Sequence, residues 1–185
     1  MENREIEVRF LEIDKEALIN KALSLGAKDL GEVMLEEIIF YNTKEDWRTE
    51  HKLVKIRNNR DKITVTYKHF QSETIDGTEE IEFEINNKNS AKLFLERLGL
   101  TAYREQQKLR HTLELDGVTL DIDTWPRIPT YIELESNNEQ SIRDVALKLG
   151  LDWKDVLFEK PGKVIEERYN IPVTTMRYFT FDRFE

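Results

Sequence analysis

Carboxylates and cations recur at a spacing of two along this chain. Glu5, Glu7 and Arg9 alternate with Ile6, Val8 and Phe10. Successive side chains of an extended strand point to opposite faces, so the charged triplet shares one face and the apolar triplet the other. The same split sets Lys55 and Arg57 against Val54 and Ile56, and Thr64, Thr66 and Lys68 against Val65 and Tyr67. Glu80, Glu82 and Glu84 oppose Ile81, Phe83 and Ile85; Asp121 and Asp123 oppose Leu120 and Ile122; Glu133 and Glu135 oppose Ile132 and Leu134. Carboxylate oxygens suit hard divalent cations, while Lys and Arg grip phosphate oxygens. Faces of this kind could bind a divalent metal together with a polyphosphate-bearing small molecule.

An ordinary sheet, apolar on its helix-packed side and charged toward water, shows the same alternation on any one strand. A solvated face, however, mixes polar types freely, and here acid-rich strands are distinct from base-rich ones. Segregation suits an enclosed site in which carboxylates hold cations and cations hold an anion, each offsetting the cost of removing the other from water. Strands are expected at 4–12, 32–42, 51–59, 62–70, 79–86, 103–115, 117–124 and 130–136. Turns are expected at Asn58 to Asp61 and at Asp116-Gly117, where Asn, Asp and Gly tolerate positive φ. Helices are expected at 14–25 (cap Asp14), 89–98 (cap Asn89 or Ser90), 139–149, 152–158 and 161–169, with Gly26, Gly99 and Gly150 ending the first three. If eight antiparallel strands curl with their polar faces inward, the result is an α+β fold. Its core is a closed eight-stranded barrel with a charged interior and helices on the outside.

The remaining composition narrows the class. A chain of 185 residues with no linker-like tract reads as one domain, 1–185. It has no cysteine, which excludes a disulfide framework and a thiolate zinc site. The start lacks the basic and apolar pattern of a signal peptide and no apolar run could span a bilayer, so a cytoplasmic location without membrane contact is expected. A formal net charge of -9 argues against a nucleic-acid surface but leaves room for a local cationic pocket. Isologous dimers are common, so a homodimer is a reasonable expectation.

In order along the chain, the motifs resemble those of the CYTH domain, the triphosphate tunnel metalloenzymes, which include class IV adenylate cyclases, thiamine triphosphatases and inorganic triphosphatases. Glu5-Ile6-Glu7-Val8-Arg9 stands where that family has Glu-x-Glu-x-Lys, with a planar guanidinium in place of a compact ammonium. Lys55-Ile56-Arg57, Thr66-Tyr67-Lys68, Glu80-Ile81-Glu82 and Lys108-Leu109-Arg110 follow in family order. Asp123 and then Glu133-Leu134-Glu135 complete the pattern. The resemblance implies that Glu5, Glu7, Glu133 and Glu135 bind Mg²⁺ or Mn²⁺, with Asp123 ligating the metal or orienting a ligand. It implies that Arg9, Lys55, Arg57, Lys68, Lys108 and Arg110 contact the triphosphate. Arg9 and Lys68 would act catalytically, and Glu80 and Glu82 would aim cations or help activate water.

The substrate implied is a small triphosphate, tripolyphosphate, ATP or thiamine triphosphate, and hydrolysis is the preferred reaction. Conversion of ATP to cyclic AMP is the alternative, and non-catalytic polyphosphate binding a second. Outside the motifs, Trp125 and Pro126 are expected to shape the connection into the last long strand. The aromatic stretch from Tyr178 to Phe184 is expected to pack on the barrel or form a subunit contact rather than touch ligand. His51, His69 and His111 read as ordinary polar residues.

Overall fold

A computed structural model describes residues 4–59, 61–72, 74 and 78–185, with side chains described from residue 6 onward in the first strand. Each charged, alternating segment is a strand: β1 (Arg4–Phe10), β2 (Lys28–Tyr41), β3 (Lys52–Asn58), β4 (Ile63–Phe70), β5 (Thr78–Ile85), β6 (Thr101–Leu115), β7 (Val118–Thr124) and β8 (Tyr131–Ser136). A two-residue β9 (Tyr178–Phe179) follows near the end of the chain. The helices are α1 (Lys15–Ser24), α2 (Lys88–Arg97), α3 (Glu139–Leu149) and α4 (Pro161–Tyr169).

The eight long strands pair antiparallel in the order β2-β3-β4-β5-β1-β8-β7-β6, and β6 returns to pair with β2. Pairing is therefore cyclic, as the parity of the sequence suggested, but the closure is uneven. The β2–β6 ladder runs from Lys28 opposite Glu114 to Tyr41 opposite Thr101, whereas among the described residues β1 and β5 meet only at Arg4 opposite Glu79 and Glu5 opposite Thr78. The wall is thus closer to a barrel split along one seam than to a fully closed cylinder. Beyond the seam, Arg9 forms a backbone bridge to Leu157, with N–H to O distances of 2.9 Å both ways.

That bridge corrects one expectation. Only Trp153–Asp155 forms a helical turn, of the 3-10 type, in place of a helix over 152–158. Val156 and Leu157 are extended because the free edge of β1 offers them strand-type partners that local propensity does not register. The cap of α2 is likewise Asn87, whose side chain accepts from Ser90 N at 2.8 Å, so the helix starts earlier than Asn89 or Ser90 would place it. β2 also begins earlier than expected, at Lys28, and a bulge at Gly31, with φ +85, falls within that extension. The Asp116-Gly117 turn forms with both residues at positive φ. The turn at 58–61 includes Arg60, which lies outside the described residues.

Most apolar side chains of the strands point outward from the ring and are covered by helices, whereas Ile81 and Phe83 on β5 are more than half exposed. Val8, Phe10, Leu113, Leu120, Ile122, Ile132 and Leu134 pack under α1 and α3 through Leu18, Ala22, Ile142, Val145 and Ala146. Ile38, Phe40, Val54, Ile56 and Val65 pack under α2 through Leu95. A third cluster, Trp125, Ile128, Tyr131, Ile165, Val173, Met176 and Phe179, joins α4 and the C-terminal segment to one end of the barrel. β9 lies parallel to β6 at Glu105 and Gln106, on the edge that β7 leaves where it ends opposite Leu109. Of the C-terminal aromatics, Phe179 is fully buried and Phe184 packs against the same cluster, whereas Phe181 is 45% exposed.

Candidate active site

Turning the apolar faces outward directs the charged faces into one cavity of about 1030 Å³. Glu7, Arg9, Lys55, Arg57, Lys68, Glu80, Glu82, Lys108, Arg110, Glu133 and Glu135 all line it. Each expected site residue with a described side chain is therefore a wall residue except Asp123, which lies directly behind the wall with no exposure. The side chain of Glu5 lies outside the described residues; its backbone sits in β1 opposite Thr78.

Strand register fixes who meets whom. Arg9 lies opposite Glu133, Asp121 opposite Glu133, and Arg110 opposite Asp123. Arg9 Nε donates to Glu133 Oε1 at 2.8 Å, Nη2 donates to Glu7, and Nη1 reaches Glu159 O at 2.9 Å. Arg110 holds Asp123 at 2.6 and 2.7 Å, Asp121 at 2.5 Å and Glu133 at 2.7 Å. Lys108 Nζ reaches the same Asp123 at 2.6 Å. Across the cavity Lys68 pairs with Glu80 at 2.6 Å, and Thr66 donates to Glu82 at 2.6 Å.

Burial and pairing set the charge states. Burial alone would strip the Arg9 guanidinium of its proton more easily, but Glu7 and Glu133 more than offset it and its pKa rises. Arg110 behaves alike, with Asp123 and Asp121 overcoming burial. Burial would raise the pKa of Glu133, yet Arg9, Lys108 and Arg110 hold it well below the usual carboxylate range. Arg9, Arg110 and Glu133 therefore keep their charges at neutral pH.

One wall residue had no clear signal in the sequence. Glu37, 5 % exposed, accepts from Arg57 Nε at 2.7 Å and Gln106 Nε2 at 2.5 Å, and lies 3.8 Å from Lys55 Nζ. Burial pushes its pKa up, but Arg57 and Lys55 bring it well below the ordinary value. Its parity partners are Ile39 and Tyr41, and its neighbour Glu36 alternates with Ile38 and Phe40, so neither face of β2 reads as polar. Arg104 and Gln106 were legible in principle, because they share the parity of Lys108 and Arg110. Arg104 joins Gln106 at 2.8 Å to Val173 O at 2.8 Å, tying the C-terminal segment to the wall.

At the end capped by α4, Lys160 Nζ lies 2.7 Å from His51 Nδ1 and Arg48 donates to Thr174 O at 3.1 Å. Trp125 stacks on Phe179 with centroids 5.4 Å apart and donates to Tyr131 Oη at 2.9 Å. His111 pairs with Asp29 at 2.8 Å on the outer side of β6, and His69 faces Glu79 at 3.6 Å.

Among the described residues no three carboxylate or imidazole groups are gathered as a ready metal cluster. Glu7, which also accepts from Arg9, and Glu135 are direct cross-strand neighbours. Like charges so placed repel and call for a cation between or beside them.

A strand ring whose polar interior interleaves buried arginines and lysines with carboxylates defines a tunnel enzyme suited to a polyanionic substrate. The CYTH domain pattern matches residues 3–163, and the chain belongs to the CYTH family. Members are triphosphatases or adenylate cyclases, and this chain is an enzyme of that class. It is 27% identical over 163 residues to a candidate adenylate cyclase of Methanocaldococcus jannaschii, covering 88% of this chain and 87% of that one. A solved Pyrococcus horikoshii protein, PH1012, superposes with a TM-score of 0.71 at 27% identity, over 84% of this chain and 96% of the other. A Hippeastrum protein described as an adenylyl cyclase candidate with dominant triphosphatase activity shares the fold, with a TM-score of 0.64 at 16% identity over 92% and 96%. Among the described residues no helix is long and apolar enough to cross a membrane.

Proposed function

We propose that this chain is a divalent-metal-dependent triphosphatase that holds an inorganic or organic triphosphate along the axis of its barrel. The observation that carries the reading is the convergence of Arg9, Lys55, Arg57, Lys68, Lys108 and Arg110 on one cavity, most of them fixed by buried carboxylates. Preorganised cations of this kind stabilise charge that builds on transferred and leaving phosphoryl groups without reorganising during the reaction. Arg9 on β1 and Arg110 on β6 share Glu133 of β8, so both guanidinium groups stay aimed at the same carboxylate. Lys68 and Arg57 would grip the chain of phosphates from the opposite wall, with Glu80 and Glu37 setting their positions.

The donor set fits Mg²⁺ or Mn²⁺. Glu7 and Glu135 offer oxygen ligands from adjacent strands, with Glu133 next in line and Glu5 two residues before Glu7 in the sequence. When bound, the ion supplies charge neutralisation and a more acidic water. Asp123, enclosed by Lys108 and Arg110, would act by orienting those cations. Glu80 and Glu82 would aim the cations, or one of them would help activate water; Glu82 accepts from Thr66 on the cavity wall.

The same grip serves a cyclase, in which a ribose hydroxyl replaces water as nucleophile, and the M. jannaschii relative favours keeping that second reading. Incubation with Mg²⁺ or Mn²⁺ and tripolyphosphate, ATP or thiamine triphosphate, with phosphate, pyrophosphate and cyclic AMP measured separately, tests both. Orthophosphate release is the expected result. Cyclic AMP with stoichiometric pyrophosphate would replace hydrolysis by cyclisation, and binding without any product would leave only a polyphosphate-binding protein.

A further inference from the structure

Five of the wall cations each have a carboxylate oxygen within 2.8 Å: Arg9, Arg57, Lys68, Lys108 and Arg110. Lys55 differs. Its side chain is 8% exposed, and the nearest carboxylate oxygen recorded for it among the described residues is Glu37 Oε1, at 3.8 Å. That oxygen already accepts from Arg57 at 2.7 Å, and the other oxygen of Glu37 accepts from Gln106 at 2.5 Å. The charged groups around Lys55 are Glu37 on β2, Arg57 on its own strand, Lys68 on β4 and Glu80 on β5; Lys108 on β6 acts on the same Glu37. Glu37 and Glu80 have closer cationic partners in Arg57 and Lys68, so little carboxylate charge is left for a third ammonium.

We infer that Lys55 is a proton-coupled part of the phosphate site, only partly protonated among its neighbouring cations in the free enzyme and fully protonated as a triphosphate settles beside it. This rests on the triphosphate reading of the cavity and adds to it how the site balances charge. Burial, and then the charge of Arg57, push the ammonium down to about 7, with Glu37 only partly opposing them. A triphosphate carries several negative charges, and bringing it against the same wall favours the ammonium form. The only bond made in this step is the new N–H, and solvent supplies the proton.

The sign follows from linkage. Below the free-state value Lys55 is already charged and binding takes up no proton there. Above it, binding takes up a proton, so affinity for the polyanion falls as pH rises, until the bound form also loses its proton. Lys55 thus selects for ligand charge: a diphosphate offers less negative charge to drive the protonation than a triphosphate.

Isothermal titration with tripolyphosphate in EDTA, run in buffers of different ionisation enthalpy, counts the protons exchanged on binding. The comparison is the wild type against Lys55→Arg, which stays charged and shares every proton change belonging to the ligand itself. At pH 8 the wild type should take up about 0.9 proton more than Lys55→Arg, and at pH 6 about 0.1. Lys55→Met should bind more weakly than wild type and show no excess uptake over Lys55→Arg. Equal proton counts for wild type and Lys55→Arg at pH 8, with binding intact in both, would overturn the inference alone. Absence of tripolyphosphate binding in all three proteins would instead remove the triphosphate reading on which it stands.

Discussion

Replacing Asp123 by Asn separates a carboxylate that anchors cations from one that ligates metal. Asp123 is fully buried, Lys108 lies 2.6 Å from one oxygen, and Arg110 engages both oxygens at 2.6 and 2.7 Å. The amide keeps the volume but removes the charge facing two cations whose side chains are 5% and 12% exposed. Removing one partner of a buried ion pair costs about 3–5 kcal/mol. Arg110 retains Asp121 at 2.5 Å and Glu133 at 2.7 Å, which places the cost at the lower end. At about 3 kcal/mol, and with each kcal/mol shifting Tm by roughly 2–4 °C in a chain of this size, the melting temperature should fall by about 6–12 °C. Tripolyphosphate oxygens can stand in for the lost carboxylate, so added tripolyphosphate should raise Tm more in Asp123→Asn than in the wild type. Differential scanning fluorimetry in EDTA, with and without tripolyphosphate, measures both effects. A fall of less than about 3 °C would refute the pairing argument, being too small for loss of a buried partner. Unchanged stabilisation by tripolyphosphate, together with a raised metal requirement in turnover, would make Asp123 a metal ligand.

Other perturbations have equally definite outcomes. Phe179→Ala removes a fully buried ring stacked on Trp125 and should cost about 3–5 kcal/mol, seen as a lower Tm and red-shifted tryptophan emission. Glu135→Gln takes one oxygen donor from the Glu7–Glu135 pair and should raise the metal concentration for half-maximal turnover about tenfold, measured by Mg²⁺ titration. Glu37 and Glu133 have folded pKa values well below their unfolded ones. Their contribution is complete above the unfolded value of about 4.3 and is lost as pH falls toward the depressed folded values. Tm should therefore hold between about pH 7 and 5 and drop below about 4, and Glu37→Gln should make that acid drop shallower at a lower starting stability.

Much of the barrel was legible because parity is a local property. Ile6, Val8 and Phe10 alternate with charges wherever β1 ends up, and the same holds for Leu120 and Ile122 in β7 or Ile132 and Leu134 in β8. Once those apolar faces must be buried, register follows and the charged faces come together. Glu37 was not legible because two adjacent glutamates between Leu35 and Ile38 give β2 no unambiguous face. The extended Val156–Leu157 was not legible because its partner is the backbone of Arg9, far away in sequence.

Residue type and alternation by themselves determined that this chain would build an antiparallel sheet with a charged face of carboxylates and cations. Tertiary structure alone decided which charge meets which: Arg110 with Asp121, Asp123 and Glu133, Arg9 with Glu7 and Glu133, and Glu37 shared between Arg57 and Lys55. It also decided how nearly the ring closes, strongly at β2–β6 and thinly at β1–β5. The physical reason is that alternation depends on the geometry of one strand, whereas ion pairing and closure depend on register between strands distant in sequence.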